Sequence, residues 1–505
     1  MMRTLLVCSL AAVASTADAG GVGTRVGNPG WSDYFTVGAG PRPGTTLLAG
    51  CTTRTYVSAR EPTTMRGPAA GLVQAVMASD GTWDRWSDTD EPDCAAIAAA
   101  APDGDVLVGG ETGDHLALGA DRLDHAAGGS YAFLARLDGT GARARWTLTT
   151  TAKNPMWAQV TELAIAPNGD VAAAGWFMKD VDWGLGAMRA RGYEDGFVIV
   201  VDGKTGKPKW QAPAREPGPR LVGGLGFARD GTLIVAASVA TGRTSQKLSL
   251  TAYKPTGKMA WRAETRGDGR FTAHGLALAP SGDIVVTGGL HGVATIAKTT
   301  LRSDTTAGAD ARGDTDPVVL RFSPTGTLRW ATLWHGGGEA HANAAAFVDD
   351  ELWIVANYRG QIEVGSETIQ ATGNMSSLVA RLDGRGRLDR FVPIRESMFV
   401  QSTRLFADGS DLVIAGDLLD TVALPDGTSV LDSDAFTIRW NRQGKLPRLA
   451  TLRPPTLPRA GGATSAITQT PPPASDAYGG ASYGGASYGG AWYGGASYGG
   501  STYGR

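Results

Sequence analysis

Two hairpin motifs alternate along this chain, and a fold that holds both must be stacked from copies of one small β unit. In the first motif an apolar strand runs into a tight Gly turn, with Trp four or five residues beyond the Gly. Copies are 72–86 around Gly81, 133–146 around Gly141, 197–210 around Gly206, 248–261 around Gly257 and 318–330 around Gly326. Two more, 378–391 around Gly386 and 436–449 around Gly444, replace or lose the Trp. In the second motif an apolar strand passes through Pro-Asp-Gly or a relative into a strand ending in Gly. Clear copies are 97–110, 163–175 and 276–289, with turns Pro102-Asp103-Gly104, Pro167-Asn168-Gly169 and Pro280-Ser281-Gly282. Weaker copies centre on Gly44, Gly231, Asp350 and Gly409. Each class has seven members, interleaved at roughly 50 to 70 residues.

The turns have a mechanism, since Asp-Gly, Asn-Gly and Ser-Gly supply the positive φ of a two-residue hairpin turn. Two hairpins per period make a four-stranded antiparallel unit, which buries its apolar faces only against its neighbours. A ring of such units removes the exposed ends, so the expected fold is all-β: a seven-bladed β-propeller over residues 20–452. The Trp on each fourth strand is expected to wedge one blade against the next. The series opens near 31–37 and closes near 446–452. Blades contiguous in sequence follow, with the first packing on the last and residues 21–30 adding at an edge. The 71 glycines and 19% charged residues suit many tight turns.

The ends differ from this body. A basic 1–3, an apolar 4–14 and Ala17-Asp18-Ala19 read as a secretory signal over 1–19, which implies a secreted, periplasmic or cell-envelope protein. Cys8 does not fit a lipidation site, because Val7 stands where a small residue is wanted. Cys51 and Cys94 then sit in an oxidising compartment and are expected to form a disulfide, the alternative being two separate buried thiols. No later apolar run reaches the ~18 residues of a membrane helix, so the chain is not expected to span a bilayer. Net charge is −2 without a basic block, which argues against nucleic acid as a partner. From 453 to 505 Pro, Gly, Ala and Ser dominate, and Tyr478, Tyr483, Tyr488, Tyr493, Tyr498 and Tyr503 recur every fifth residue. With no core to offset ordering entropy the tail is expected to be disordered, its tyrosines serving as weak stickers or as an inert expansion.

The hairpin pattern of 131–141, followed by that of 163–175, resembles the SBBP-type β-propeller repeat of secreted bacterial proteins, over residues 31–452. The resemblance implies fold and export, and that family carries no shared active site. Residues 201–210, Val-Asp-Gly-Lys-Thr-Gly-Lys-Pro-Lys-Trp, are also similar to the tryptophan-docking motif of PQQ-like repeats in quinoprotein dehydrogenases and outer-membrane assembly propellers. Those families usually have eight blades, and the dehydrogenases add a vicinal cysteine pair and calcium-binding carboxylates that this chain does not show.

Within each blade the second-to-third-strand segments are long: 111–130, 178–194, 290–316 and 359–376. They fall on one face, where loops on a rigid scaffold usually carry function. Candidate binding residues there are His115, His125, Trp183, His335, Glu339 and His341. Positions 339 and 341 project the same way on an extended strand but lack the third ligand a metal needs. No catalytic residue, cofactor or metal is expected. The reading is a monomeric, non-enzymatic scaffold for a protein or glycan of the cell envelope. Its alternative is an enzyme of quinoprotein or glycan-cleaving type that uses the central channel.

Overall fold

The computed structural model describes residues 21–26, 32–53, 55–56, 65–66, 72–80, 83–88, 94–113, 115–118, 121–125, 129–139, 141, 143–151, 155–213, 220–242, 244–303, 315–394, 399–423, 429–442, 446–447 and 449–452. Residues 1–19, expected as a secretory signal, and the tail 453–505 with its six tyrosines lie outside them. All regular elements described are strands, and among the described residues no helix is long and apolar enough to cross a membrane.

The strands form small antiparallel units of four. Ser32–Ala39, Thr46–Thr53, Leu72–Met77 and Trp83–Asp88 pair in that order. Cys94–Ala100, Val106–Thr112, Tyr131–Leu137 and Ala144–Thr149 follow. The pattern repeats in Pro155–Ile165, Val171–Val181, Asp195–Val201 and Pro208–Pro213, then in Arg220–Phe227, Leu233–Ala240, Gln246–Tyr253 and Met259–Glu264. Next come Arg270–Leu278, Ile284–His291, Asp316–Phe322 and Leu328–Leu333, and Ala340–Val348, Glu351–Tyr358, Ser376–Leu382 and Leu388–Ile394. The first strand of each unit packs on the first strand of the next. Second and third strands are buried on both faces, as in Asp195–Val201, where all seven residues are buried. That is why they read as continuous apolar runs instead of alternating.

The last unit departs from expectation. Phe399–Asp408, Asp411–Ala423 and Ser429–Trp440 pair in order. The place beside Ser429–Trp440 is taken by Gly21–Val26, antiparallel over six register pairs from Gly21↔Trp440 to Val26↔Ala435. Leu449–Leu452, expected as the fourth strand, lies outside Gly21–Val26 and pairs with it in parallel over four positions. The two ends of the chain therefore share one unit, and blades contiguous in sequence are ruled out there. The longer ladder holds the inner place. Ser32–Ala39 packs on all three of the other strands of this unit.

The turns also differ in detail. In 101–105 Ala101 N–H donates to Asp105 O at 2.8 Å and Gly104 N–H to Ala101 O at 2.9 Å, leaving a three-residue loop. Only Gly104 takes positive φ, at 88°. This is a type I turn closed by a glycine bulge, not a two-residue turn.

The tryptophans behave as wedges. Trp146 donates its Nε1–H to Gly203 O at 3.0 Å in the next unit. Trp210 does so to Pro255 O at 3.1 Å, and Trp330 to Gly384 O at 3.1 Å. Each ring lies on the turn glycine of that neighbour: a Cβ on Gly206, with φ +70°, would sit 2.7 Å from Trp146. A second staple was not anticipated from sequence. Arg136 Nε donates to Asp105 Oδ2 at 2.9 Å and Arg321 Nε to Asp283 Oδ2 at 3.0 Å, tying the third strand to the first turn of its own unit. Asp105 and Asp283 are buried, so both charges are paired where neither could stand alone.

Candidate functional site

The inner layer is made by the first strands, and all of them but Ser32–Ala39 share one irregularity. Their ladders skip a residue between Ala95/Ile97, Val160/Glu162, Val222/Gly224, Ala273/Gly275, Ala342/Ala344 and Ser402/Arg404. A bulge re-aims the residues at it and frees backbone groups. The preceding unit satisfies two of these: Ser238 Oγ accepts from Ala273 N–H at 2.8 Å, and Asn357 Oδ1 accepts from Ser402 N–H at 2.9 Å. Small residues dominate at the bulges, but Glu162 and Arg404 do not fit that pattern. They come from units that do not adjoin in sequence, and their side chains meet at 3.6 Å.

Burial pushes the Glu162 carboxyl upward against the pull of Arg404. Asp417, on the strand beside Arg404, is likewise raised by burial and opposed by Arg404, to about 7. Two desolvated carboxylates thus depend on one guanidinium. Between the ordinary aspartate value of 3.8 and about 7, the folded state holds a proton on Asp417 that the unfolded chain has released. Asp417 therefore favours folding most below pH ~4, and that contribution is lost as pH rises through 7. Asp417→Asn, neutral throughout, is expected to be more stable than the wild type at pH 8 by about 2 kcal/mol, and so to melt higher, and to show no such gain at pH 4. Thermal melts at pH 4, 6 and 8 check this, and a gain independent of pH would refute it.

The string 335–341 forms a brace between two units. His335 Nδ1 lies 3.3 Å from Asp316 Oδ2, and Gly336 N–H donates to Asp316 Oδ1 at 3.0 Å. His341 Nε2 is 3.3 Å from Glu339 Oε1, while Arg359 Nε donates to Glu339 Oε2 at 2.9 Å. His341 and Arg359 hold the Glu339 carboxyl below its usual range although burial works the other way. Thr315 Oγ1 stands 3.2 Å from His341 Nδ1, so hydroxyl, imidazole and carboxylate occur in the order of a nucleophilic triad. However, Thr315 is 1% exposed and donates its hydroxyl to Ala340 O at 3.0 Å, so no substrate can reach it. His274 packs against His341, the rings tilted with centroids 4.8 Å apart, and burial together with His341 holds its imidazole near 3 and hence neutral. Among the described residues no three His, Cys, Asp or Glu side chains converge on a metal position.

The described parts of the long segments form β excursions. His115–Leu118 pairs with Asp121–Asp124, Val293–Ile296 with Thr299–Arg302, and Gln361–Val364 with Glu367–Gln370. Several are strapped to the linker that enters their own unit: Thr151 bridges Asp182, Arg266 bridges Thr295, and His335–Gly336 pairs with Gln361–Val364. His115 and His125 belong to the first excursion, where the His125 ring stacks on Tyr131 at 4.6 Å. Trp183 is not a contact residue of this face. It is 1% exposed and packs on Phe197 at 5.2 Å, because Asp182 Oδ1 accepts from Gly184 N–H at 2.7 Å and Gly186 N–H at 3.1 Å and so turns the chain over it. Cys51 and Cys94 lie on strands that pack together, but their side chains fall outside those described.

No protein-family model matches the sequence, and no curated protein matches it. Solved structures of β-propeller proteins are similar to it. A protein of unknown function from Dyadobacter fermentans is 13% identical, with 82% of this chain and 97% of that chain covered and a TM-score of 0.41. For quinohemoprotein alcohol dehydrogenase from Comamonas testosteroni the values are 11%, 85%, 78% and 0.41. For BamB from Moraxella catarrhalis they are 12%, 72%, 93% and 0.32. Nothing about function follows from likeness of this strength.

Proposed function

We propose that residues 21–452 close a seven-bladed β-propeller, exported from the cell, that works as a non-enzymatic scaffold for a protein or glycan of the cell envelope. The unbroken round of first-strand contacts supports the ring, with the last blade completed by Gly21–Val26. The SBBP-like hairpins and the signal-like N-terminus support export. One observation carries the scaffold reading: the excursions of one face are hydrogen-bonded to the linkers beneath them, as where Thr151 and Asp182 exchange two bonds of 2.8 Å. Such a face is preformed, and binding to it orders little chain. The tail is a spacer or adhesive in this reading.

The test is a pull-down from envelope extract by the full chain and by residues 1–452. The full chain is expected to retain specific partners. Failure of both to retain any would overturn the scaffold, and identical recovery by both would remove the tail from binding.

A second reading, a glycan-cleaving enzyme, draws on Glu162 and Asp417, whose carboxyls are raised around Arg404. Release of reducing ends from a polysaccharide by the wild type but not by Glu162→Gln would favour it.

A further inference from the structure

The excursion face holds a group of residues that packing does not use. Val171–Val181 lies between Pro155–Ile165 and Asp195–Val201. On one side the ladder skips from Pro155↔Lys179 to Ala158↔Phe177, so Trp157 falls in the irregularity, level with Met178. On the other side Phe177 pairs with Asp195, which brings Glu194 level with Met178 as well. Trp157 and Glu194 are therefore two strand spacings, about 10 Å, apart along one row. Trp157 is 47% exposed and Tyr193 71% exposed. Glu194 is half-buried, without a hydrogen bond or ion pair among the described residues, and burial alone pushes its carboxyl upward. Two of the nearby charges are engaged elsewhere: Arg189 Nε holds Asp180 at 2.9 Å, and Asp182 caps its own turn.

The chemistry of this group selects one kind of ligand. The centre of a protein interface is a contiguous, desolvated apolar cluster. Here two exposed rings lie within about two strand spacings of a half-buried carboxylate that no side chain among the described residues engages. An aromatic face takes the C–H face of a pyranose ring, and a carboxylate accepts strongly from hydroxyls. We propose that Trp157, Tyr193 and Glu194 form a sugar-binding platform for a polysaccharide strand lying across the rim of this unit. The proposal rests on the scaffold reading and names its partner as a glycan.

The test uses the purified full chain sedimented with insoluble peptidoglycan sacculi, chitin or cellulose. The wild type is expected to co-sediment with at least one. The double variant Trp157→Ala/Tyr193→Ala is expected to bind that probe at least about 10-fold more weakly, and Glu194→Gln about 3-fold more weakly. The double variant should keep the wild-type melting temperature, since both rings are exposed, and Glu194→Gln should not lower it, since burial already disfavours the Glu194 charge. Binding of the wild type to none of the three, or undiminished binding by the double variant, would overturn the platform. A wild type that ignores all three probes yet retains a specific envelope protein overturns the platform and leaves the scaffold standing. Release of reducing ends from a bound probe overturns the scaffold instead, and weaker binding by the double variant would still support the platform.

Discussion

Thr24→Pro is expected to destabilise the protein far more than Ala450→Pro, although the two residues pair with each other. Thr24 has Thr437 on one side and Ala450 on the other, whereas Ala450 lies on the outermost strand. Proline removes a ladder donor and clashes in a central strand but is tolerated at an edge. The expected cost is about 3 kcal/mol or more at position 24 and about 1 kcal/mol or less at position 450. Removing residues 21–26 altogether should cost about 5 kcal/mol, a large part of a domain's net stability, because it also strands Leu449–Leu452 without a partner. Denaturant unfolding of the three variants checks this. Equal costs at 24 and 450 would refute the placement of Gly21–Val26 between the two C-terminal strands.

Trp146→Ala is expected to cost about 3–5 kcal/mol through the cavity it leaves and the loss of the bond to Gly203 O. Gly206→Ala should cost about 1–3 kcal/mol by itself. Its φ of +70° disfavours any side chain, and its new methyl would meet the Trp146 ring at 2.7 Å. The steric part vanishes when the ring is gone, so the double variant should be less destabilised than the sum of the singles by about 1 kcal/mol. Additive costs in a denaturation cycle would show that ring and turn do not bear on each other.

The repeat was legible because its marks are local. Gly in a turn and Trp on the following strand lie within a few residues, and the turn-dipeptide chemistry is strong. What escaped depends on distance or on exposure. Arg136, Arg321, Arg381 and Arg439 recur just before the third-strand turns, a regular signal whose partners Asp105 and Asp283 lie about thirty residues or more upstream. Glu162 and Arg404 are 242 positions apart, and no spacing rule could have joined them. Trp183 looked like a loop aromatic because an Asx-type turn that tucks it inward reads as ordinary loop sequence. Glu339 and His341 were rightly seen to point the same way, but the hydroxyl and guanidinium that complete their brace come from Thr315 and Arg359.

Pairing of Gly21–Val26 with Ser429–Trp440 has a kinetic consequence. The chain between the two ladders is about four hundred residues long, so its loop-closure entropy is among the largest such a domain can face, about 5 kcal/mol on a logarithmic law. Contacts that distant form late and slowly. During synthesis Gly21–Val26 must wait, unpaired, until about four hundred further residues have been made.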